Sequence, residues 1–128
     1  MITEFRWYVG SAKGRVKSPQ WADIEAPLHE IGNASGDAKL ETFIQKPDGG
    51  LECFTHLSVS SENGLHFLSI LDEDNEVRSL FLPDREPGMV DISGLVWDNR
   101  MVTNDFSLVY RAFREYFETG NVSTDLLN

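Results

Sequence analysis

The sequence contains a single cysteine, Cys53, among its 128 residues. An intrachain disulfide is therefore impossible, and a zinc site built from several cysteines is excluded. No stretch approaches the roughly 18 consecutive apolar residues of a membrane-spanning helix. The first ten residues, MITEFRWYVG, lack the apolar core and the small-residue cleavage site of a signal peptide. We therefore expect a cytoplasmic protein that does not enter membranes.

Catalytic and nucleotide-binding motifs are also missing. The chain has no G-x-S-x-G nucleophile turn, no Walker motif and no G-x-G-x-x-G, and PDGG at residues 47–50 is typical of a hairpin turn. LHEIG at residues 28–32 lacks the second histidine of the H-E-x-x-H zinc signature. These absences predict a protein that is not an enzyme and that binds no metal or cofactor.

Cys53, His56 and His66 are the side chains that come nearest to a metal site or a catalytic Cys–His pair. Regular alternation along residues 51–60 places Cys53 on one face of a strand and His56 on the other. A single metal ion is not readily reached from both faces, and a thiol is not reached by a base on the opposite face. The sequence therefore predicts that Cys53 is a small buried apolar side chain.

The chain has enough apolar residues for one core. Apolar residues make up 41% of the sequence and include eight Phe, three Trp and three Tyr, which predicts a single domain over residues 1–128. The net charge of −10 disfavours nucleic acids and anionic membranes as partners and favours basic proteins, although solubility alone would also account for it. Residues 1–20 differ from the rest, with four basic side chains against Glu4 alone.

Two segments show helical signals. Ser18 and Pro19 suit the cap and first position of a helix over residues 19–26, which continues to residue 31 with a kink at Pro27 or as a separate turn. The last helix begins after Asn104 or Asp105 and ends at Gly120. Its apolar stripe consists of Phe106, Val109, Tyr110, Phe113 and Phe117.

Between the helices lie strand-like segments separated by short turns rich in Asp, Asn and Gly. They cover residues 38–46, 51–60, 65–71 and 77–82, after a first strand at 4–10 that the polar stretch 11–20 interrupts. Residues 89–104 form one bent strand or two, with Gly94 as a bulge. Such short connections require antiparallel pairing. The prediction is an α+β fold, a curved antiparallel meander of about five to seven strands with two helices packed on it.

Acidic turns are the main candidate binding feature. Residues 72–86 carry six acids against Arg78 and Arg85, namely Asp72, Glu73, Asp74, Glu76, Asp84 and Glu86. The meander places residues 72–76 at a hairpin tip and residues 83–88 at the other end of the sheet, roughly 20 Å away. Trp97, in LVWDN, is the tryptophan that we expect to be exposed. These seven residues form the predicted protein-binding set.

The order of elements resembles that of bacterial immunity proteins from polymorphic-toxin and contact-dependent growth inhibition systems, and most closely the immunity-protein family numbered one. The resemblance rests on WADIEAPLHEIG at residues 21–32, GGLECFTHLSV at 49–59, LHFLSIL at 65–71 and AFREYFETGNVSTDL at 112–126. It implies a protein that binds a cognate toxin domain, often a nuclease, and blocks its active site or substrate-binding surface. The acidic charge fits a basic toxin groove.

Two alternatives remain open. The first is an enzyme or small-molecule carrier with a pocket between sheet and helices, lined by Phe43, Phe54 and Phe67, with His56 or Asp91 as its polar group. The second is an adaptor with several partners. An open sheet edge leaves both a monomer and a homodimer possible.

Overall fold

The computed structural model describes residues 1–128. It contains two α-helices, α1 (Trp21–Asn33) and α2 (Phe106–Thr119), and a 3-10 turn at Asn99–Met101. Its nine strands are β1 (Ile2–Val9), β2 (Ala12–Lys17), β3 (Gly36–Gln45), β4 (Leu51–Glu62), β5 (Leu65–Leu71), β6 (Val77–Ser79), β7 (Met89–Ile92), β8 (Leu95–Asp98) and β9 (Val102–Thr103).

Seven strands form one antiparallel sheet. Its order is β2-β1-β3-β4-β5-β6, and β9 also pairs with β5. Helix α1 lies on β1 and β3, and α2 lies on β4 and β5. The predicted α+β class, an antiparallel sheet of about seven strands with two helices on it, is confirmed. We call the helix side of the sheet the covered face and the opposite side the outer face.

The core lies between the covered face and the helices. Alternate residues of the central strands point into it, as the two-residue period of a strand requires. Eighteen buried apolar side chains form one cluster, in which Phe5 of β1 meets Phe113 of α2 edge to face at a ring separation of 6.4 Å. The Tyr116 hydroxyl lies 2.8 Å from Thr42 Oγ1 and 2.6 Å from Thr55 Oγ1, so this buried polar group is satisfied.

Strand β2 (Ala12–Lys17) contradicts the prediction that the polar stretch 11–20 is a break in the sheet. It pairs with β1 over its whole length. Gly14 faces the Trp7 ring so closely that a Cβ there would lie 2.5 Å from Trp7 Cε2. The glycine therefore makes room for the indole and does not interrupt the strand.

Helix α1 begins later than the Ser18-Pro19 signal predicts. Ser18 has a φ of +50°, and its N–H donates to the Thr3 carbonyl, so it ends β2. The cap is Gln20, whose N–H donates to the Asp23 carboxylate at 2.8 Å. The helix is continuous from Trp21 to Asn33, with Pro27 buried inside it, so the residues beyond 26 belong to the same helix.

The region after β5 differs most from the prediction. Strand β6 has three residues instead of six, and residues 89–104 form the β7–β8 hairpin, the 3-10 turn and β9. Gly94 lies in the hairpin turn with a φ of +86° and is not a bulge. We call the β7–β8 hairpin the flap, because it forms a separate two-stranded sheet that lies against β4 and β5.

Helix α2 agrees with the sequence. Asp105 is its cap and accepts a hydrogen bond from the Ser107 N–H, while Gly120 ends it with a φ of +79°. Of the predicted stripe, Val109 and Phe113 are fully buried, while Phe106, Tyr110 and Phe117 lie at its margin, and Ala112 and Tyr116 complete the buried face. Neither helix combines the length and the apolar character needed to cross a membrane.

Candidate functional site

The segment from residue 72 to residue 98 concentrates both negative charge and exposed apolar surface. It carries eight carboxylates against two guanidinium groups, a net charge of −6. It also contains five of the nine large apolar side chains that are well exposed, namely Val77, Phe81, Met89, Leu95 and Val96. Exposed apolar groups together with acidic groups are typical of a surface that binds a basic protein. We call residues 72–98 the acidic segment.

Asp72 does not belong to the exposed surface, although the sequence placed it in the binding set. It is 8% exposed, and its carboxylate accepts from the N–H groups of Asp74 and Glu76 at 3.0 Å. The Arg78 Nε donates to the other oxygen at 2.9 Å. Backbone hydrogen bonds and Arg78 hold the pKa of Asp72 below its ordinary value. The buried Asp72 carboxylate thus stabilises the backbone of the hairpin tip.

The other predicted acids are on the surface. Glu73, Asp74 and Glu76 are exposed at the tip between β5 and β6. Asp84 and Glu86 are exposed in the loop that follows β6. That loop packs beside the other end of β5, because the Arg85 Nε donates to the Asn99 carbonyl at 3.0 Å, just before β9. The two acidic groups therefore lie at opposite ends of one sheet edge.

Trp97 is half-buried, contrary to the exposure predicted for it. Its ring stacks on Phe67 of β5 at 3.8 Å with an angle of 10° between the planes, and its indole N–H has no acceptor. Phe67 pairs with Val102, so both lie on the outer face, where Ile92 is buried as well. Trp97 packs the flap against the sheet, while Leu95 and Val96 of the same strand are exposed.

Sequence reasoning missed these exposed apolar residues of the flap. Leu95 and Val96 are adjacent apolar residues directly before Trp97, and each is more than half exposed. In a strand, two adjacent residues point to opposite faces, so a hairpin of two four-residue strands that packs on the sheet with one face cannot bury both. The shortness of β8 could have indicated from the sequence that one of these two side chains is exposed.

The Cys53–His56 argument from alternation was wrong. The register between β3 and β4 shifts at Thr42/Phe43, where Cys53 and not Phe54 takes the position opposite Phe43. This bulge turns Cys53 to the side of His56, and its Sγ lies 3.9 Å from His56 Nδ1. A single extra residue in one strand reverses which face every later side chain occupies.

The Cys53–His56 pair is nevertheless poorly suited to nucleophilic catalysis. Burial and the nearby Glu41 carboxylate raise the pKa of the Cys53 thiol. Burial and the Lys39 ammonium lower the pKa of His56. Both shifts favour the neutral thiol and the neutral imidazole, whereas a reactive cysteine needs a thiolate. His66 lies elsewhere, buried on the covered face with Nδ1 2.6 Å from Ser61 Oγ.

The alternative pocket between sheet and helices is not formed by the predicted residues. Phe67 lies under the flap, and Asp91 is an exposed residue of β7 that accepts from the Gly94 N–H. A cleft of about 390 Å³ opens between β1, β3 and the end of α2, but it contains none of Phe43, Phe54, Phe67, His56 and Asp91. No group of three or more His, Cys, Asp or Glu side chains is placed to hold a metal ion.

Comparison with known proteins supports the fold and assigns the family. The structure is similar to the crystal structure of a hypothetical protein from Neisseria gonorrhoeae, with a TM-score of 0.67 and 15% sequence identity over 96% of this chain and 90% of the other. No curated protein matches the sequence. The family model of DUF6911, a family of unknown function, matches residues 4–126, and the chain therefore belongs to that family.

Proposed function

We propose that the protein is an immunity protein that binds a cationic toxin domain through its acidic segment. The observation that supports this most directly is the coincidence of charge and exposed apolar surface in residues 72–98. The flap and the adjoining loop supply apolar contacts next to the loop carboxylates Asp84 and Glu86, and the tip carboxylates add negative charge at the other end of the same sheet edge. The partner fitted to such a surface is a basic protein domain, for example a nuclease with a positively charged substrate groove.

Charge and apolar contact have separate roles in this proposal. Exposed carboxylates attract a basic partner over distance and raise the rate of association, an effect that salt screens. Apolar side chains that become buried at the centre of an interface supply most of the affinity. Met89 is 73% exposed, Leu95 60% and Val96 55%, so each has surface to lose on binding. Truncating them should act mainly on the rate of dissociation.

The flap is suited to presenting this surface because it is fixed at both ends. The Trp97 ring lies on Phe67, and the Ser93 N–H donates to the Glu62 carboxylate at 3.2 Å. The Asn99 N–H donates to the Gly88 carbonyl at 2.8 Å and closes the other end of the hairpin. A surface that is held in place before binding loses less conformational entropy when the complex forms.

The first experiment identifies the partner and tests neutralisation. The protein is immobilised, exposed to lysate of its own organism, and washed at low and then high salt, and the bound proteins are identified by mass spectrometry. The candidate partner is then expressed in a test strain with and without this protein. We expect growth arrest by the partner alone and recovery of growth on co-expression. Recovery that fails, or a partner without toxicity, contradicts the proposal.

The second experiment locates the interface with matched variants. Charge reversal of the tip by Glu73→Lys, Asp74→Lys and Glu76→Lys is compared with Glu30→Lys, Glu52→Lys and Asp125→Lys, which alters three exposed acids elsewhere. We expect the tip variant to lose about tenfold or more in association rate and the control to lose much less. Equal losses would mean that net charge, and not the acidic segment, attracts the partner.

The apolar contribution is tested in the same assay. Met89→Ser with Val96→Ser is compared with Ile2→Ser and Leu51→Ser, two exposed apolar positions outside the segment. The flap variant should dissociate at least about tenfold faster, since burying two such side chains stabilises a complex by more than 1.4 kcal/mol. Unchanged dissociation would remove the flap from the proposed interface.

A further inference from the structure

The outer face of β1, β2 and β3 carries a net charge of +2, from five basic side chains against Glu4, Asp37 and Glu41. Five of the eleven basic side chains lie there, on strands that pair residue by residue, and they are Arg6, Lys13, Arg15, Lys17 and Lys39. The flap covers β4 and β5 and leaves this half of the face open. In a chain of net charge −10, so local a gathering of positive charge calls for a physical reason.

The three central cations stand in one row across three strands. Arg15 of β2 pairs with Arg6 of β1, and Arg6 pairs with Lys39 of β3. We call these three residues the cationic row. Ser58 of β4 and Ser69 of β5 continue the same row. Like charges placed directly opposite each other in a sheet destabilise it.

Neighbouring carboxylates compensate only part of this charge. Arg15 Nε lies 2.7 Å from Glu4 Oε1, and Arg6 Nε lies 2.9 Å from Glu41 Oε1. The Arg6 Nε is buried, and its N–H is not aligned for a hydrogen bond with that oxygen or any other. No carboxylate lies within 4 Å of the Lys39 ammonium. The inner end of the cationic row therefore keeps a positive charge without a partner.

That end of the row lines a cleft of about 320 Å³. Its polar lining consists of Arg6, Lys39, Tyr8, Asp37, Ser58 and Ser60. The side chains provide an ammonium, a guanidinium and two serine hydroxyls in a recess, and all four donate hydrogen bonds. Tyr8 is half exposed at the side of the cleft, with its ring available for contact.

We propose that this cleft binds a small phosphomonoester. Lys39 and Arg6 pair with the phosphate dianion, Ser58 and Ser60 donate to its remaining oxygens, and the Tyr8 ring contacts the organic part. A guanidinium matches the geometry of phosphate oxygens, and an ammonium adds a compact charge beside it. The volume is at the lower end of that of small-molecule sites, so a single small ligand fits. The site lies outside the acidic segment and does not depend on toxin binding.

The first test is a titration of the ¹⁵N-labelled protein with inorganic phosphate and with AMP, followed by amide chemical shifts at constant ionic strength. We expect saturable shifts confined to the strands around Arg6, Lys39 and Ser58, with AMP binding more tightly than phosphate because of Tyr8. Shifts that do not saturate, or that spread over all exposed cations, would overturn the proposal. AMP affinity equal to that of phosphate would overturn the role of Tyr8.

Matched variants separate the site from general charge. Lys39→Gln should weaken AMP binding about tenfold, because it removes one charge-assisted hydrogen bond. Lys39→Arg keeps the charge and should retain most of the affinity. Lys46→Gln removes an exposed cation from the β3–β4 turn and should leave the affinity unchanged. The same loss in Lys39→Gln and Lys46→Gln would contradict a site at the cationic row, and the amide spectrum of each variant shows whether it is folded.

Discussion

The two faces of the main sheet are composed of alternate residues of the same strands, yet they differ in almost every property. On the covered face, Phe5, Leu40, Leu57 and Leu68 are fully buried beneath the helices. On the outer face the neighbouring positions of β1 to β3 carry five basic side chains, and Phe67 of β5 stacks on Trp97 of the flap. The covered face supplies the buried apolar surface that stabilises the fold, and the outer face carries the polar and charged side chains.

The largest effect should come from the covered face. Phe113→Ala removes a fully buried ring that contacts Phe5, and should lower the free energy of unfolding by about 3–5 kcal/mol. Phe81→Ala, at a position 43% exposed, should cost less than about 1 kcal/mol. Urea denaturation measures both. Similar losses would mean that the covered face does not dominate stability.

Next in size is the loss of Arg78, which lies at the edge of the sheet. Its guanidinium donates to Asp72, to Asn121, and to the carbonyls of Val122 and Leu127. Arg78→Ala removes the donor from one oxygen of the buried Asp72 carboxylate and from three further acceptors, and should lower Tm by roughly 5–10 °C. Adding Asp72→Asn to that variant should recover part of the loss. A purely additive result in calorimetry would contradict an energetic coupling between Arg78 and Asp72.

A smaller effect is expected for the flap on the outer face. Trp97→Ala removes the stack on Phe67 and should destabilise the protein by about 1–2 kcal/mol. Because the flap is a separate two-stranded sheet, limited proteolysis should cut between residues 83 and 98 faster while the amides of the main sheet stay protected from exchange. Loss of protection throughout the sheet would show that the flap belongs to the core.

The smallest effect is a pH dependence that comes from the covered face. Burial lowers the pKa of His66 below its ordinary value of 6.5. Between the folded and the ordinary pKa the unfolded chain binds more protons, so the stability present above pH 6.5 falls as the pH drops. His66→Gln should reduce this slope in denaturation experiments at several pH values. A stability that rises on acidification would contradict the burial.

The sequence was sufficient for elements whose signals are local. Helix α2 has its cap at Asp105, its stop at Gly120 and a clear apolar stripe, and all of these were predicted. Strand β2 was missed because its covered-face residues are only Ala12, Gly14 and Val16, while its outer positions are cations. A strand at the edge of a core needs few apolar residues, so hydrophobic periodicity does not reveal it.

The candidate site depended on contacts that no local pattern contains. The exposure of Trp97 could not be decided without its partner Phe67, which lies 30 positions earlier in the chain. Asp72 was counted as a surface acid until its hydrogen bonds to the tip and to Arg78 placed it inside. The bulge that joins Cys53 to His56 follows from the pairing of β4 with β3. The burial of Trp97, the burial of Asp72 and the bulge at Cys53 each depend on a contact with another part of the chain, so none of them follows from the local sequence.

Arg78 also has a consequence for the order in which the protein is made. Its acceptors at Asn121, Val122 and Leu127 are synthesised more than 40 residues after it, and the Asn128 N–H closes on the Ser79 carbonyl. A nascent chain that has reached only α2 has an open β6 edge and a guanidinium without its acceptors. Such an edge is a template for pairing with other chains. Synthesis of residues 121–128 is therefore the step that closes this side of the sheet against self-association.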